Sequence, residues 1–170
     1  TQHGLHAFSR RELQVPTVET AYQSVKDIVN VVPGGRIIRN MHRWASQGMV
    51  IVVFLHLLRV FYTGSYLGNR SLNWVIGVVL LIVTLLSNFS GYLLPWDQLA
   101  YWAVTVGTAM ASYVPIIGDQ VRDLLLGGPT VGSATLLRFY VLHVAVLPVA
   151  LVALITAHLW RWRKDSMLTT

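Results

Sequence analysis

The sequence predicts an all-α integral membrane protein, a helical bundle in which three membrane spans are visible. Apolar residues make up 54% of its 170 residues and charged residues only 12%, whereas soluble proteins carry about 25% charged residues. Three stretches reach the roughly 20 residues that a helix needs to cross a bilayer core. They run from about 41 to 62, 74 to 94 and 136 to 160, and glycine-containing turns separate them.

The remaining segments are too short or too polar to span a bilayer. Residues 1–14 form a polar leader without the apolar core of a signal peptide, and we interpret its His3 and His6 as solvated. An amphipathic surface helix with its loop is predicted at 15–36, because it opens after a proline with an acidic first turn. The membrane domain is predicted at 37–165, with interfacial helices at about 97–126, and 166–170 form a tail.

Charge indicates the orientation of these spans. The net charge of the chain is +6. Basic residues are concentrated around the end of the first span and in the tail after the third, at Arg59, Arg70, Arg161, Arg163 and Lys164. Because loops rich in Arg and Lys stay on the cytoplasmic or stromal side, both regions are predicted to lie there. The positive charge therefore fits a membrane protein, and we predict no nucleic-acid partner.

Four histidines recur at matching positions in two of the spans. His42 and His56 are 14 residues apart, close to four helical turns, so they share one face at a separation of about 21 Å. His143 and His158 are 15 residues apart, and Pro148 between them can kink or unwind the helix to restore a common face. The first and third spans run in the same direction. His42 is therefore predicted level with His143, and His56 level with His158.

Facing imidazoles in a helix bundle are typical of metal or haem sites. A bare metal ion prefers three or four protein ligands, and no Cys, Asp or Glu accompanies either pair. A haem needs only two axial ligands, and the absence of cysteine excludes a thioether-linked haem or an iron–sulfur cluster on this sequence. Two bis-histidine haems are therefore predicted, although a single membrane histidine can equally serve as an interhelical hydrogen-bonding residue.

Arginines and glycines near the histidines favour the haem interpretation. Arg39, Arg43 and Arg59 lie within one turn of a first-span histidine, where they could neutralise haem propionates. Gly77 and Gly91 are 14 residues apart on the second span, at the levels of the two predicted haems. Glycine lets a helix approach a flat macrocycle closely, but close helix packing explains it as well, and Gly48 is ambiguous for the same reason.

Five segments resemble a known family: IRNMHRW, HLLRVFYTGSY, GYLLPWDQLAYWAV, VPIIGDQVRDLLLGG and VGSATLLRFYVLH. They resemble the cytochrome b subunit of Rieske/cytochrome b complexes, and the resemblance runs from about Val15 to Lys164. The 15-residue histidine spacing and the chain end after that helix are similar to the short split form, cytochrome b6. In that form a separate subunit supplies the remaining helices and the PEWY loop.

The resemblance implies a di-haem subunit of a quinol-oxidising, bc1/b6f-type oxidoreductase complex that is not active alone. It would pass electrons across the membrane between quinol-oxidation and quinone-reduction sites, coupled to proton translocation. His42 and His143 match the axial ligands of the haem b on the positive side, and His56 and His158 those on the negative side. Arg39 and Arg43 match propionate contacts of the first haem, and Arg59 of the second. The haem-facing glycines of the family match Gly77 and Gly91.

The resemblance also implies quinone sites and partners. Phe89, Leu99, Ala103 and Val106 fall where the family lines its quinol-oxidation pocket, and Arg163 falls near its quinone-reduction site. Expected partners are the subunit with the remaining helices, a Rieske iron–sulfur protein, a c-type cytochrome, membrane lipid and a second copy in a homodimeric complex. A bacterial plasma membrane is favoured over a thylakoid.

Two further interpretations and one departure stand beside this prediction. A haem-bearing membrane anchor for another dehydrogenase or reductase would share the four histidines, but it would lack the GYLLPWDQLAYWAV segment. A non-redox transporter would use the histidines in a proton relay. The family has four spans in this region, with a helix before the surface segment. Here that helix is absent, replaced by a partner, or outside the printed sequence.

Overall fold

The computed structural model describes residues 18–167, with side chains for 20–165, and this part of the chain contains only helices and turns. The helices are α1 (Val18–Asn30), α2 (Gly35–Tyr62), α3 (Ser71–Leu93), α4 (Gln98–Ala111), α5 (Gly118–Leu126), α6 (Ser133–Val141) and α7 (Leu147–Met167). A 3-10 turn, Gly68–Arg70, precedes α3. The predicted leader and the last residues of the predicted tail lie outside the described residues.

Three stretches of the described chain are long and apolar enough to cross a membrane: Gly35–Tyr62, Gly68–Leu93 and Ser133–Asp165. The predicted all-α membrane fold is confirmed. Helix α2, the first span, begins six residues earlier than the hydropathy pattern predicts. Gly34 adopts a left-handed φ of 73°, which lets the helix begin in the basic segment that precedes the apolar residues. Apolar residues of this helix are largely exposed, as at Val52 (63%), which suits contact with lipid.

The third span contains a wide turn at its first histidine. A π-helical turn at Leu142–Val146 joins α6 to α7, and the Leu147 N–H donates to the Leu142 carbonyl five residues back. Pro148, which has no N–H, follows one residue later. A π turn accommodates one extra residue, so 15 residues here advance about as far around the helix as 14 do in α2. The predicted local unwinding is present, but it precedes the proline.

The chain divides into two compact units, and the first described here comprises residues 18–32 and 93–138. Its core contains the fully buried Leu93, Ala100 and Val104. Helix α4 is capped at its N-terminus by Asp97, whose carboxylate accepts a hydrogen bond from the Ala100 N–H at 2.8 Å. Trp96 follows Pro95 in the connection between α3 and α4 and is 6% exposed. Its φ of 51° is left-handed, which is unfavourable for a bulky residue.

The end of α5 is held by side chains that follow it in sequence. The Arg138 guanidinium donates hydrogen bonds to the carbonyls of Asp123 and Leu124, and the buried Thr135 hydroxyl donates to the Leu126 carbonyl at 2.8 Å. Helix C-termini leave carbonyls without intrahelical partners, so these bonds satisfy them. Gly127 has a φ of 69°, and a Cβ there would collide with Arg138.

The second unit comprises residues 33–92 and those from Phe139 onward, and it contains all four span histidines. Its buried polar residues include Ser90 (0% exposed) on α3 and Asp165 (2%) near the end of α7. Asp165 forms an ion pair with Arg161 at 3.2 Å, one turn earlier on the same helix. A buried carboxylate beside a partner of opposite charge avoids much of the cost of desolvation.

Candidate functional site

The structure brings the four histidines together as two pairs. The ring centres of His42 and His143 are 6.1 Å apart, with an angle of 84° between the ring planes. The rings of His56 and His158 are 6.5 Å apart, also at 84°. In each pair one imidazole comes from α2 and the other from the third span. The pairing matches the one predicted from the spacing of histidines.

These separations fit one metal ion between each pair of rings. A metal–imidazole bond is about 2.0 Å long, so two imidazoles bound in line to one metal have ring centres roughly 6 Å apart. Within the described residues, no group of three or more His, Cys, Asp or Glu side chains could hold a metal ion. The donor set therefore suits a macrocycle-bound iron, which needs only two axial ligands from the protein.

Two glycines of α3 lie against the third-span histidines. A Cβ placed on Gly91 would be 2.5 Å from His143 Cε1, which is closer than real Cβ atoms approach other atoms. A Cβ on Gly77 would be 3.4 Å from His158 Cε1, an ordinary contact. Gly91 thus makes room for the imidazole itself. A Cβ on Gly48 would meet no atom of the described chain within 4 Å, so protein packing does not require this glycine.

The Nδ1 atom of His143 is held by α3. It lies 3.0 Å from the Ser87 carbonyl oxygen, which can only accept, so the ring donates its Nδ1–H to Ser87. The Ser90 hydroxyl oxygen is also 3.1 Å from Nδ1. An imidazole protonated at Nδ1 has its Nε2 lone pair free for a metal, and metal-binding histidines commonly donate their other N–H in this way. His143 is therefore oriented as a metal ligand.

The second pair opens into a cleft of about 250 Å³. It is lined by His56, His158, Gly77 and Arg59, which the sequence predicts at the same level of the helical bundle. The cleft is also lined by residues that sequence reasoning did not assign to a site: Arg70, Asn73, Trp74 and Trp162.

Two of these unassigned residues have unpartnered polar groups. The buried indole N–H of Trp74 and the amide oxygen of Asn73 form no hydrogen bond within the described residues. Arg70 ends the 3-10 turn Gly68–Arg70, in a loop without acidic residues. Its positive charge indicates the orientation of the spans but does not by itself indicate a binding site. Arg59 and Arg70 both line the cleft, and two guanidinium groups suit a ligand that carries carboxylates.

The remaining predicted arginines lie near the start of α2. Arg39 is half-buried and Arg43 is exposed, and neither forms an ion pair among residues 20–165. They flank His42 in sequence, three residues before it and one after it. Their guanidinium groups are therefore available to an anionic group near the first histidine pair.

The predicted quinone-site residues are divided between the two units. Phe89 belongs to the histidine-containing unit and contacts Phe139 edge-to-face at 6.2 Å. Leu99, Ala103 and Val106 lie on α4 in the other unit, where Leu99 is 68% exposed. Arg163 lies near the end of α7 and does not line the cleft of the second histidine pair. The roles of these residues in quinone binding stay predictions.

Comparison with known proteins identifies the family. The family described as Cytochrome b(N-terminal)/b6/petB matches residues 47–170. Cytochrome b6 of Heliobacterium modesticaldum is 47% identical over 143 residues, covering 84% of this chain and 67% of the relative. The menaquinol:cytochrome c reductase cytochrome b subunit of Bacillus subtilis is 45% identical over 154 residues, covering 90% and 69%.

A solved structure agrees with these relatives. A chain of a hyperthermophilic respiratory Complex III superposes with a TM-score of 0.74 at 31% identity, covering 88% of this chain. The present chain spans 40% of the length of that chain. The predicted family, the class of redox protein and the location in a membrane are confirmed. The chain belongs to the cytochrome b N-terminal/b6/petB family, a family of b-haem membrane proteins of the oxidoreductase class.

Proposed function

We propose that this chain is the di-haem cytochrome b subunit of a quinol-oxidising Rieske/cytochrome b complex of the bc1/b6f type. It passes electrons across the membrane between a quinol-oxidation and a quinone-reduction site, and this transfer is coupled to proton translocation. The observation that carries the proposal is the presence of two histidine pairs with ring centres 6.1 and 6.5 Å apart. Each pair has the separation of two axial ligands on one iron.

Each proposed site is built from the chain's own residues. His42 and His143 hold one haem b, and His56 and His158 hold the other, without covalent attachment. A haem b supplies a one-electron redox centre when it is bound in this way. The Ser87 carbonyl keeps the His143 Nε2 free to act as a ligand.

Charge and glycine complete the two sites. Arg39 and Arg43 neutralise the carboxylates of the first haem, and Arg59, joined by Arg70, those of the second. The buried N–H of Trp74 is a further donor for a carboxylate at the second site. Gly91 makes room for the His143 imidazole against α3, and Gly77 lies beside His158. Gly48 leaves room beside α2 for a haem, because a Cβ there would meet no atom of the described chain within 4 Å.

The quinone sites are a further part of the proposal. Phe89, Leu99, Ala103 and Val106 supply apolar walls for quinol near the first haem, and Arg163 assists quinone reduction near the second. The role of these residues is to bind and orient a flat apolar ring, since none of the first four can transfer a proton. The LPWDQ segment before α4 supports this proposal, because a simple haem anchor does not need it.

We propose the following partners on the same basis. They are a subunit with the remaining cytochrome b helices and the PEWY loop, a Rieske iron–sulfur protein and a c-type cytochrome, in a homodimeric complex embedded in lipid. The similarity to relatives from heliobacteria and Bacillus supports a bacterial plasma membrane.

The test is a pair of ligand substitutions in the complex purified from its native membrane. His143→Leu should remove the first haem and abolish quinol oxidation, and His158→Leu should remove the second haem alone. His6→Leu, in the predicted leader, is the control and should retain both haems. Two spectrally normal haems in either ligand variant would contradict the assignment. Quinol oxidation by a complex without a Rieske protein would favour the membrane-anchor function instead.

A further inference from the structure

A serine beside the first histidine pair has no part in the function proposed above. Ser90 lies on α3 and is fully buried, with 0% of its surface exposed. Its hydroxyl oxygen is 3.1 Å from His143 Nδ1 and 3.0 Å from the Ser87 carbonyl oxygen. A buried hydroxyl between a histidine and a carbonyl has both of its hydrogen-bonding roles determined by these neighbours.

The hydrogen-bond directions follow from the number of protons available. A carbonyl oxygen can only accept, so the Ser90 O–H donates to Ser87, and the serine oxygen presents its lone pairs to His143. The His143 Nδ1–H then has two acceptors, the Ser87 carbonyl at 3.0 Å and the Ser90 hydroxyl at 3.1 Å. The imidazole is held from one side by two oxygens.

The second histidine pair lacks this arrangement. The Nδ1 atom of His158 is buried and makes no hydrogen bond of normal geometry within the described chain, although the backbone of Asn73 is near it. Among the described residues, no side-chain hydroxyl is hydrogen-bonded to His158 Nδ1. The two sites therefore resemble each other in ring separation but differ in the hydrogen bonds made by the third-span ligand.

We propose that Ser90 is a positioning residue that orients His143 and lowers the reduction potential of the haem held by His42 and His143. Acceptors on Nδ1–H raise the basicity of Nε2. A more basic ligand favours the oxidised iron, which carries one more positive charge than the reduced iron. This inference rests on the proposed function, because it requires a haem between the two rings.

The test is a redox titration of both b haems in the purified native complex that carries Ser90→Ala. At the wild-type midpoint, the reduced fraction of the first haem should increase, with a change of roughly three- to tenfold in the reduced-to-oxidised ratio for loss of one hydrogen bond. A tenfold change corresponds to 59 mV for a one-electron couple. The second haem is an internal reference and should keep its midpoint.

Two variants separate the hydroxyl from general packing. Ser112→Ala removes a serine hydroxyl that, like Ser90, donates to the carbonyl three residues back but is not hydrogen-bonded to a histidine, so it should leave both midpoints unchanged. Ser90→Thr keeps a hydroxyl and should restore the wild-type midpoint. Loss of the first haem from Ser90→Ala but not from Ser90→Thr would also support the proposal, because only the hydroxyl distinguishes their hydrogen bonding.

Four results would overturn it. They are an unchanged first midpoint in Ser90→Ala, a downward shift, the same shift in Ser112→Ala, or loss of the first haem from both Ser90 variants. A haem count distinguishes these outcomes from failure of the proposed function. Two b haems with no shift reject the role of Ser90 alone, whereas fewer than two haems in the wild-type complex reject the proposed function.

Discussion

Gly91→Ala places a methyl group where the structure has an imidazole. The new Cβ would be 2.5 Å from His143 Cε1 and 3.1 Å from both ring nitrogens. To reach ordinary contact the ring has to retreat by about 1 Å, because nonbonded carbon atoms rarely approach closer than about 3.4 Å. The Nδ1–H bond to the Ser87 carbonyl, 3.0 Å long, cannot survive that movement unchanged.

The free energy by which Gly91→Ala weakens binding of the first haem follows from the interactions that are lost. Leaving a buried hydrogen-bonding group unsatisfied costs about 1–3 kcal/mol, and forcing the ring from its rotamer adds about 0.5–1.5 kcal/mol. Alanine is favoured over glycine in a helix by about 1 kcal/mol, which offsets part of this. A net cost of about 1–3 kcal/mol corresponds to roughly 5- to 150-fold weaker retention of the first haem.

Haem transfer to excess apomyoglobin measures this retention in the purified complex. The first haem should leave Gly91→Ala faster than wild type, while the second haem should leave at the wild-type rate. Gly77→Ala should have a much smaller effect on the second haem, because its Cβ would be 3.4 Å from His158. Gly128→Ala is the control, since a Cβ there meets no atom of the described chain within 4 Å.

The order of these variants tests the reasoning. If Gly77→Ala released its haem as readily as Gly91→Ala, contact with the third-span imidazole would not be what requires glycine on α3. Unchanged transfer from Gly91→Ala, with the native helix retained, would refute the predicted collision itself.

Three further substitutions have outcomes that follow from single contacts. Thr135→Val removes the hydrogen bond that satisfies the last carbonyl of α5 and should lower stability by about 1–2 kcal/mol in thermal melts, whereas Thr135→Ser should be near neutral. Arg70→Gln removes a cation from the cleft of His56 and His158. It should lower the midpoint potential of the second haem alone, by the equivalent of about 1 kcal/mol in a redox titration, with Arg122→Gln as a surface control. Asp165→Ala leaves Arg161 without its partner and should cost about 1–3 kcal/mol in melts, which Arg161→Met in the same chain should partly recover.

The fold could be predicted from the sequence because each span carries a strong apolar pattern. The start of α2 was predicted six residues too late, since its first two turns contain arginines that lower the local hydropathy. Hydropathy measures burial in lipid, whereas the beginning of this helix depends on the conformation of Gly34.

The pairing of histidines was predictable for a similar reason. Helical periodicity is sufficient to place His42 beside His143, since both lie at the same level of parallel spans. The π turn was not predictable in position, because its carbonyls and N–H groups rearrange ahead of Pro148 and leave no composition signal. The cleft residues Arg70 and Trp74 were missed because they come from the turn before α3 and its first residues, and only tertiary packing brings them to His158.

The proposed function requires two haems to occupy the two histidine pairs of this one chain. A pyridine haemochrome assay on the purified complex, combined with an optical redox titration, tests it most directly. We predict two haem b per chain, with separable midpoints, and loss of a different haem from each third-span histidine variant. One haem or none per chain, with wild-type histidines in place, would contradict it.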